Sequence, residues 1–368
     1  MRGPRATIYL DRLKSNFDII SKHLVDKKIM AVVKANGYGH GSIACAQSLE
    51  NIGCDFFAVF SLEEGIALRN ENIKSDILVF SCLDSSRLQE AIDYNLILNI
   101  SDKSHLEEIL LFYQKTGSVP RTHLKIDTGM TRLGIEMESV EIVIKKLIEY
   151  PEINCEGIYS HFSTADEGDL SYALEQESKF KLILKLTKTL GYKFENIHFS
   201  NSGAILNLNH DYSNIVRVGM LLYGAYPSDE LAKTLPVKPV MCFKAPIVSV
   251  RTVPKNTHVS YGGVYKTNAR TNIAVIQCGF ADGLPRPWFK NGYINYKGKQ
   301  YNIAGRICMD MFMVDFGDIF PNVNDEVLLI GKDDINEIRL ETIANSIKST
   351  PYVLVTAIGG RTERIYQG

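Results

Sequence analysis

The first two thirds of the chain alternate between short apolar runs and longer stretches of helical periodicity. Counted from Met30, eight apolar runs have the length and composition of buried strands, and helical stretches separate most of them. The predicted strands are the run that begins at Met30 and then Phe56–Phe60, Ile77–Ser81, Leu96–Ile100, Thr122–Asp127, Asn154–Ser160, Asn196–Ser200 and Ile215–Val218. This alternation predicts a parallel α/β fold, and eight units predict a closed (β/α)8 TIM barrel. A doubly wound open sheet is the alternative, because the sequence does not show whether the sheet closes.

The pattern changes near Pro236. Beyond it, short runs of alternating apolar and polar residues are separated by Lys-Gly and Gly-Asp turns, which is typical of antiparallel strands. The predicted elements are the strands Phe243–Val253, Asn272–Cys278, Tyr293–Ile303, Met311–Asp315 and Glu326–Ile330, one helix at Leu340–Ser346, and a last strand within Gly359–Tyr366. We therefore predict a barrel over residues 11–235 and a mainly antiparallel β domain over residues 236–368.

The N-terminal residues predict a strand followed directly by a helix. Ala6–Leu10 alternates like a short strand, and Asp11 is the expected N-cap of a helix over Leu13–Leu24. The segment before Asp11 lacks the apolar core of a signal peptide.

Composition excludes several classes of partner. The 368 residues include 41 basic and 42 acidic side chains, for a formal net charge of −1. Such a balanced chain has no electrostatic footprint for nucleic acid or an anionic membrane, and no apolar run is long enough to span a bilayer. The seven cysteines are scattered without the spacing of zinc ligands or a disulfide framework. We therefore expect a cytoplasmic protein that binds neither nucleic acid nor membranes.

One stretch of the sequence contains a candidate reactive lysine. Ile29–Gly41 opens as an apolar strand and closes as a glycine-rich turn before the helix near Ile43–Leu49. Lys34 lies where strand meets loop, which is the edge at which α/β folds bind ligands. Partial burial lowers the pKa of a lysine there and makes its amine nucleophilic toward a carbonyl cofactor. The alternative is that Lys34 is merely the first solvated residue after the strand.

The whole string Val-Val-Lys-Ala-Asn-Gly-Tyr-Gly-His-Gly, from Val32 to Gly41, resembles the pyridoxal-phosphate signature of alanine racemases. The resemblance implies that Lys34 carries the cofactor and that Tyr38 lies beside it. It also implies that the first strand, through Leu10, belongs to the β domain.

A second string, from His123 to Gly134, follows the fifth predicted strand. The resemblance implies that Arg132 contacts the phenolic oxygen of the cofactor and binds substrate, although Thr131 stands where many relatives have glycine. Lys125 should point into the barrel, where an unpaired amine is costly. In related racemases the matching lysine can be carbamylated and then holds the arginine; an interior pair with Asp127 is the alternative.

Three further positions follow the later barrel strands. The resemblance implies that His161 stacks on the pyridine ring of the cofactor. Loops after strands seven and eight of such barrels commonly bind phosphate, which independently suits the Ser202 hydroxyl and the amides of Gly219 and Met220.

Arg217 is implied to face the pyridine nitrogen. Arginine stays protonated, so the nitrogen stays unprotonated and the ring withdraws electrons weakly. That should keep the reaction at proton exchange. The alternative is an ion pair on the barrel exterior.

The β half supplies the remaining candidates. Tyr261, in the string Val-Ser-Tyr-Gly-Gly, matches the second catalytic base of the family, and racemisation needs acid–base groups on both faces of the substrate. The amide of Met309 is implied to receive the substrate carboxylate, and Tyr352 to reach the phosphate. Phe280 stands where tyrosine is usual at the entrance.

These features predict an alanine racemase activity that interconverts L- and D-alanine with pyridoxal 5'-phosphate, without a metal, and that supplies D-alanine for peptidoglycan. The resemblance also implies a homodimer whose active sites are shared between subunits. The alternatives are a serine or broad-specificity racemase, a decarboxylase of the same fold assisted by Cys308, a cofactor carrier, and a barrel without the cofactor.

Overall fold

A closed barrel forms the first part of the chain. The computed structural model describes residues 3–208 and 211–368. After β1 (Arg5–Tyr9) come the eight barrel strands: β2 (Lys28–Val32), β3 (Phe56–Val59), β4 (Asp76–Val79), β5 (Ile97–Ile100), β6 (Arg121–Lys125), β7 (Cys155–Tyr159), β8 (Asn196–His198) and β9 (Ile215–Val218). Neighbouring strands are parallel, and β9 pairs with β2, so the ring is complete. The TIM barrel prediction is confirmed, and the open-sheet alternative is wrong.

Helices surround the barrel. They are Leu10–His23, Ser42–Glu50, Leu62–Asn70, Leu88–Asp93, Lys103–Thr116, Val140–Glu149, Ser171–Thr189 and the short Ser202–Asn207. The predicted N-cap at Asp11 is wrong, because β1 runs directly into the helix and Tyr9 takes the capping position. Asp11 instead lies in the first turn, where its charge favours the helix dipole. No helix among the described residues is long and apolar enough to cross a membrane.

The second part of the chain is a mainly antiparallel sheet, as predicted. Its strands are β10 (Met241–Val253), β11 (His258–Val259), β12 (Tyr265–Lys266), β13 (Thr271–Ile276), β14 (Tyr293–Tyr296), β15 (Lys299–Asn302), β16 (Phe312–Asp315), β17 (Glu326–Lys332), β18 (Glu337–Ile338) and β19 (Glu363–Gln367). The long strand β10 pairs antiparallel with β1, β13 and β17. Strand β1 also pairs in parallel with β19, which ties the two ends of the chain together. The domain division between residues 235 and 236 remains a prediction.

Two local predictions in the β half are wrong. The run Tyr293–Ile303 is not one strand but the hairpin β14–β15, because Lys297 and Gly298 both have positive φ, at 47° and 77°, and reverse the chain. The predicted single helix, Leu340–Ser346, is followed by a second, Pro351–Thr356. Proline suits the first turn of a helix because its fixed φ is already helical. This second helix carries Tyr352.

Candidate active site

Lys34 begins a left-handed turn at the carboxyl end of β2. Ala35, Asn36, Gly37 and Tyr38 all have φ between 51° and 61°. Left-handed backbone costs about 1–2 kcal/mol for each residue with a β-carbon, so other contacts must offset the strain. The amide of Gly37 donates to the carbonyl of Val33 at 2.8 Å, which closes the turn immediately after the strand.

Glu64 ties the same turn to the neighbouring strand. One carboxylate oxygen accepts from the amide of Ala35 and the other from the amide of Phe60, each at 2.7 Å. Glu64 can reach both because it lies in the first turn of the helix that follows β3. The backbone after Lys34 is therefore held from two sides.

The Lys34 amine lies in a positively charged environment. Its pKa is lowered, first by burial and then by Arg132 and Arg217, while Glu64 opposes the shift. The Nζ atom lies 6.0 Å from the centre of the Phe80 ring. Among the described residues no carboxylate forms an ion pair with Lys34. The amine is thus a nucleophile of reduced basicity.

Lys125 ends β6 in the same cluster. It is 6% exposed, and its Nζ lies 5.7 Å from the centre of the Tyr159 ring. Burial, followed by the charges of Arg132 and Arg217, lowers its pKa to about 8. The alternative pairing with Asp127 is not formed: Asp127 Oδ1 accepts from the amides of Gly129 and Thr131, at 2.9 and 3.0 Å.

These two hydrogen bonds shape the loop that carries Arg132. Thr131 has φ of 52°, so the chain places a β-branched residue in the left-handed region. Arg132 itself is exposed, and no described carboxylate forms an ion pair with it. Its charge lowers the pKa of both Lys34 and Lys125, so the loop presents a cation to the mouth of the barrel.

Arg217 on β9 is buried, with 3% of its surface exposed, so the exterior ion pair is not formed. Its guanidinium donates to the carbonyls of His198, Ser160 and Phe199 at 2.7–3.0 Å, and to the Nδ1 atoms of His198 and His161 at 2.9 and 3.2 Å. Burial lowers its pKa to about 10, which still leaves it protonated at neutral pH. The residue is a fixed cation at the carboxyl end of the barrel.

His161 is uncharged at this position. Burial lowers its pKa well below the ordinary value, and Arg217 and Arg132 add to the effect. Because Arg217 can only donate, Nδ1 of His161 accepts and Nε2 carries the proton. The structure therefore places a neutral ring beside the cation cluster.

A group of hydroxyls lies beside the loop after β9. The amide of Gly219 donates to Ser202 Oγ at 3.1 Å, and Met220 next to it is buried. The rings of Tyr38 and Tyr352 are 5.9 Å apart. Burial raises the pKa of both tyrosines, so their hydroxyls stay protonated donors. Neither hydroxyl donates to a protein atom among the described residues.

Tyr261 and Met309 are not joined to this cluster within one chain. They are 67% and 56% exposed, and no described contact links either to Lys34. Their two loops are joined to each other, because Ser260 Oγ donates to the carbonyl of Arg306 at 2.6 Å. Phe280 is also exposed there, and its amide donates to the carbonyl of Cys308 at 3.1 Å.

Sequence comparison covers almost the whole chain. The family described as "Alanine racemase, N-terminal domain" matches residues 8–227, and "Alanine racemase, C-terminal domain" matches residues 240–366. The chain belongs to the alanine racemase family.

Individual members of the family match over their full length. "Alanine racemase 2" of Caldanaerobacter subterraneus subsp. tengcongensis is 36% identical, covering 100% of this chain and 95% of the relative. The crystal structure of alanine racemase from Streptomyces lavendulae is 32% identical with a TM-score of 0.93, over 100% of this chain and 98% of that one. A Bartonella henselae alanine racemase, solved with covalently bound pyridoxal phosphate, is 26% identical with a TM-score of 0.90, over the whole of both chains.

Alanine racemase motifs did not reveal every polar residue of this site. His198, Tyr159 and Asn99 are buried around Arg217 and Lys125, with the Tyr159 ring stacked 4.6 Å from that of His198 and its hydroxyl donating to Asn99 at 2.9 Å. The sequence did contain a signal for them. Side chains alternate along a strand, and each of these residues stands at a position whose side chain points into the barrel.

Proposed function

We propose that the chain interconverts L-alanine and D-alanine with pyridoxal 5'-phosphate as cofactor. One observation carries the proposal: a partly buried lysine of lowered pKa, Lys34, lies among Arg132, Arg217 and Lys125 without a carboxylate partner among the described residues. Such a cluster suits an anionic ligand that bears an aldehyde.

The residues present fit that cofactor. The unpartnered hydroxyls of Tyr38 and Tyr352, with Ser202 and the backbone of Gly219, supply neutral donors suited to a phosphate. Gly219 has no side chain, and a β-carbon there would come within 2.7 Å of the Tyr38 hydroxyl. Lys34 would hold the aldehyde carbon, Arg132 the phenolic oxygen and His161 the face of the ring. When bound, pyridoxal phosphate withdraws electrons from the substrate and acidifies its Cα–H bond.

The chain's own groups would move the proton. Lys34 serves one face of the substrate Cα, because its lowered pKa leaves more free amine near neutral pH than an ordinary lysine has. Tyr261 serves the opposite face. Arg132 and the Met309 amide would hold the substrate carboxylate. Arg217 would disfavour protonation of the ring nitrogen and so keep the reaction at proton exchange.

Two subunits would complete each site. Tyr261 and Met309 are exposed on the β domain of their own chain and make no described contact with its Lys34. A second copy related by two-fold symmetry would bring these residues to the mouth of the barrel and exclude water there. We therefore propose a homodimer in which the partner's Tyr261 faces Lys34.

We also propose a cytoplasmic enzyme that supplies D-alanine for peptidoglycan. All seven cysteines are free thiols, which suits a reducing compartment.

Product analysis tests the proposed activity. Each of a panel of L-amino acids, with alanine and serine included, is incubated with protein and pyridoxal phosphate, and the products are separated by chiral chromatography. D-alanine should form fastest. A preference for serine would change the proposed substrate, and amine products would indicate a decarboxylase instead.

Peptide mapping tests the cofactor site. Borohydride reduction of the loaded protein should fix the cofactor to the peptide that contains Lys34, while Lys34→Ala should take up no label. A label on Lys125 or any other lysine would overturn the assignment.

A further inference from the structure

Two histidines extend a series of buried polar side chains from Arg217 into the barrel interior. His198 Nε2 and His123 Nδ1 are 2.9 Å apart, and both residues are fully buried. Gly157 lies opposite His123 in the register of β6 and β7, where a β-carbon would come within 2.5 Å of the histidine ring. The barrel therefore leaves space for this ring by having no side chain across from it.

Glu156 reaches the far end of the chain through an irregularity in strand register. Thr122 pairs with Cys155, but the next residue, His123, pairs with Gly157, so Glu156 is an extra residue on β7. Its Oε1 lies 3.6 Å from His123 Nε2. That separation is too long for a hydrogen bond, and Nε2 of His123 has no hydrogen-bond partner among the described residues, so it faces the carboxylate without bonding to it.

Glu156 is held in place by an arginine at the amino end of the barrel. Arg121 donates to its two oxygens at 2.8 and 3.1 Å, and to Asp76 at 2.6 Å. Burial alone would raise the pKa of Glu156, but His123 and Arg121 lower it overall, so the carboxylate is charged. A charged carboxylate is thus fixed opposite His123 Nε2.

The position of each histidine proton follows from Arg217. Arg217 can only donate, so His198 Nδ1 must accept and His198 Nε2 must carry the proton. His198 then donates to His123 Nδ1, which leaves the His123 proton on Nε2, facing Glu156. Burial lowers the pKa of both histidines, so neither ring takes a second proton at neutral pH.

We propose that His198 and His123 form a one-way donor chain, facing the Glu156 carboxylate, that orients the Arg217 guanidinium, which makes His123 a positioning residue for a site at the opposite end of the barrel. The inference rests on the proposed function, in which Arg217 lies at the cofactor.

The physical role of His123 is to keep the His198 proton on Nε2. Without that acceptor, His198 can carry its proton on Nδ1 instead, where it would meet the Nη1 donor of Arg217. Two donors repel, so the guanidinium would turn away from His198 and toward its remaining carbonyl partners.

Histidine NMR on cofactor-free protein tests the donor chain directly. With nitrogen-15 in the histidine rings, wild-type protein should show both His198 and His123 protonated at Nε2 only. His123→Phe, which keeps a ring over Gly157 but removes the acceptor, should give His198 a mixed tautomer. Thr122→Val is the matched control, because it removes a partly buried hydrogen bond from the other face of the same strand. Protonation of His198 at Nδ1 in the wild type would overturn the donor chain.

Cofactor titration tests the positioning. Pyridoxal phosphate should bind His123→Phe about five- to tenfold more weakly than wild type, the effect of about one hydrogen bond. His123→Asn, whose Oδ1 stands near the Nδ1 position, should recover part of the affinity. Thr122→Val should stay within about twofold of wild type. Equal affinity in His123→Phe and Thr122→Val would overturn the positioning role.

The two proposals fail differently. If wild-type protein bound no pyridoxal phosphate, the proposed function would be wrong. The positioning role would then be wrong too, because Arg217 would have no cofactor to face. The tautomers of the cofactor-free protein would still decide whether the donor chain exists.

Discussion

The hydroxyl of Tyr38 takes up the space that a β-carbon on Gly219 would need, although the two residues belong to opposite ends of the barrel sequence. A β-carbon on Gly219 would lie 2.7 Å from that hydroxyl and 3.2 Å from the adjoining ring carbon. The φ of Gly219 is not positive, so the close approach of Tyr38, rather than backbone conformation, is what requires glycine here. The left-handed turn after Lys34 and the loop after β9 are therefore fitted to each other.

Gly219→Ala should weaken cofactor binding, because the methyl group displaces the Tyr38 hydroxyl, which we propose as a donor to the phosphate. We expect a dissociation constant for pyridoxal phosphate raised by about tenfold or more, and a loss of about 1–3 kcal/mol in the free energy of unfolding. Absorbance titration and chemical denaturation measure the two effects. Gly360→Ala is the control, since a β-carbon there meets no atom within 4 Å. Unchanged affinity in Gly219→Ala would show that the Tyr38 hydroxyl does not contact the cofactor.

The barrel was predictable because its signal is periodic. Eight apolar runs separated by helical stretches are compatible with few folds. Only the closure of the sheet into a barrel required the structure. The sequence shows the Lys-Gly turn at Lys297, but the run from Tyr293 to Ile303 is still predicted as one strand, because apolar and polar residues recur on both sides of a turn of only two residues. The start of the first helix was missed because β1 runs into it without a loop, so Asp11 had no capping position to take.

The site was predictable where motifs mark it and not where only tertiary contacts do. Lys34, Arg132 and His161 stand in recognisable strings. The sequence around His123 does not show that Glu156 lies near the His123 Nε2 atom, because that proximity depends on a register shift between β6 and β7.

Lys125 should be carbamylated at least in part. Carbon dioxide reacts with the neutral amine, and a pKa of about 8 leaves roughly a tenth of the amine neutral at pH 7 and most of it neutral at pH 9. The product carries a negative charge, which the surrounding Lys34, Arg132 and Arg217 would stabilise. Labelling with carbon-13 bicarbonate should give a carbamate signal that grows from pH 7 to pH 9 and is absent from Lys125→Met. A free amine at saturating bicarbonate would contradict this prediction.

Without bicarbonate, the same residue should make stability depend on pH. The folded pKa of Lys125 is about 8, below the ordinary value of 10.5. Between these values the unfolded chain holds a proton that the folded chain lacks, so the free energy of unfolding rises with pH through this window. Lys125→Met should remove about 1–3 kcal/mol of that rise, as measured by urea denaturation in bicarbonate-free buffer.

The exposed Lys185 provides the control for this measurement, because Lys185→Met removes a lysine with no ion pair among the described residues. Its stability should follow the wild-type dependence on pH. Equal slopes for Lys125→Met and the wild type would mean that burial does not lower the pKa of Lys125.

Sharing of the active site can be tested by mixing two inactive variants. Lys34→Ala removes the lysine of the barrel, and Tyr261→Phe removes the hydroxyl of the β domain, so each homodimer should be nearly inactive. In a heterodimer with shared sites, one site carries both lesions and the other carries neither. Unfolding and refolding equal amounts together should therefore restore up to roughly a quarter of wild-type activity, since half of the dimers are mixed and half of their sites are intact.

The control is a mixture of two variants whose lesions lie in the same domain. Lys34→Ala refolded with Arg217→Ala should restore no activity through a shared site, because both residues belong to the barrel and every site then keeps one lesion. If Lys34→Ala and Tyr261→Phe likewise recovered nothing although mass spectrometry showed mixed dimers, each chain would complete its own site. The exposure of Tyr261 and Met309 would then require a movement of the β domain toward its own barrel, because neither residue contacts Lys34 in the described structure.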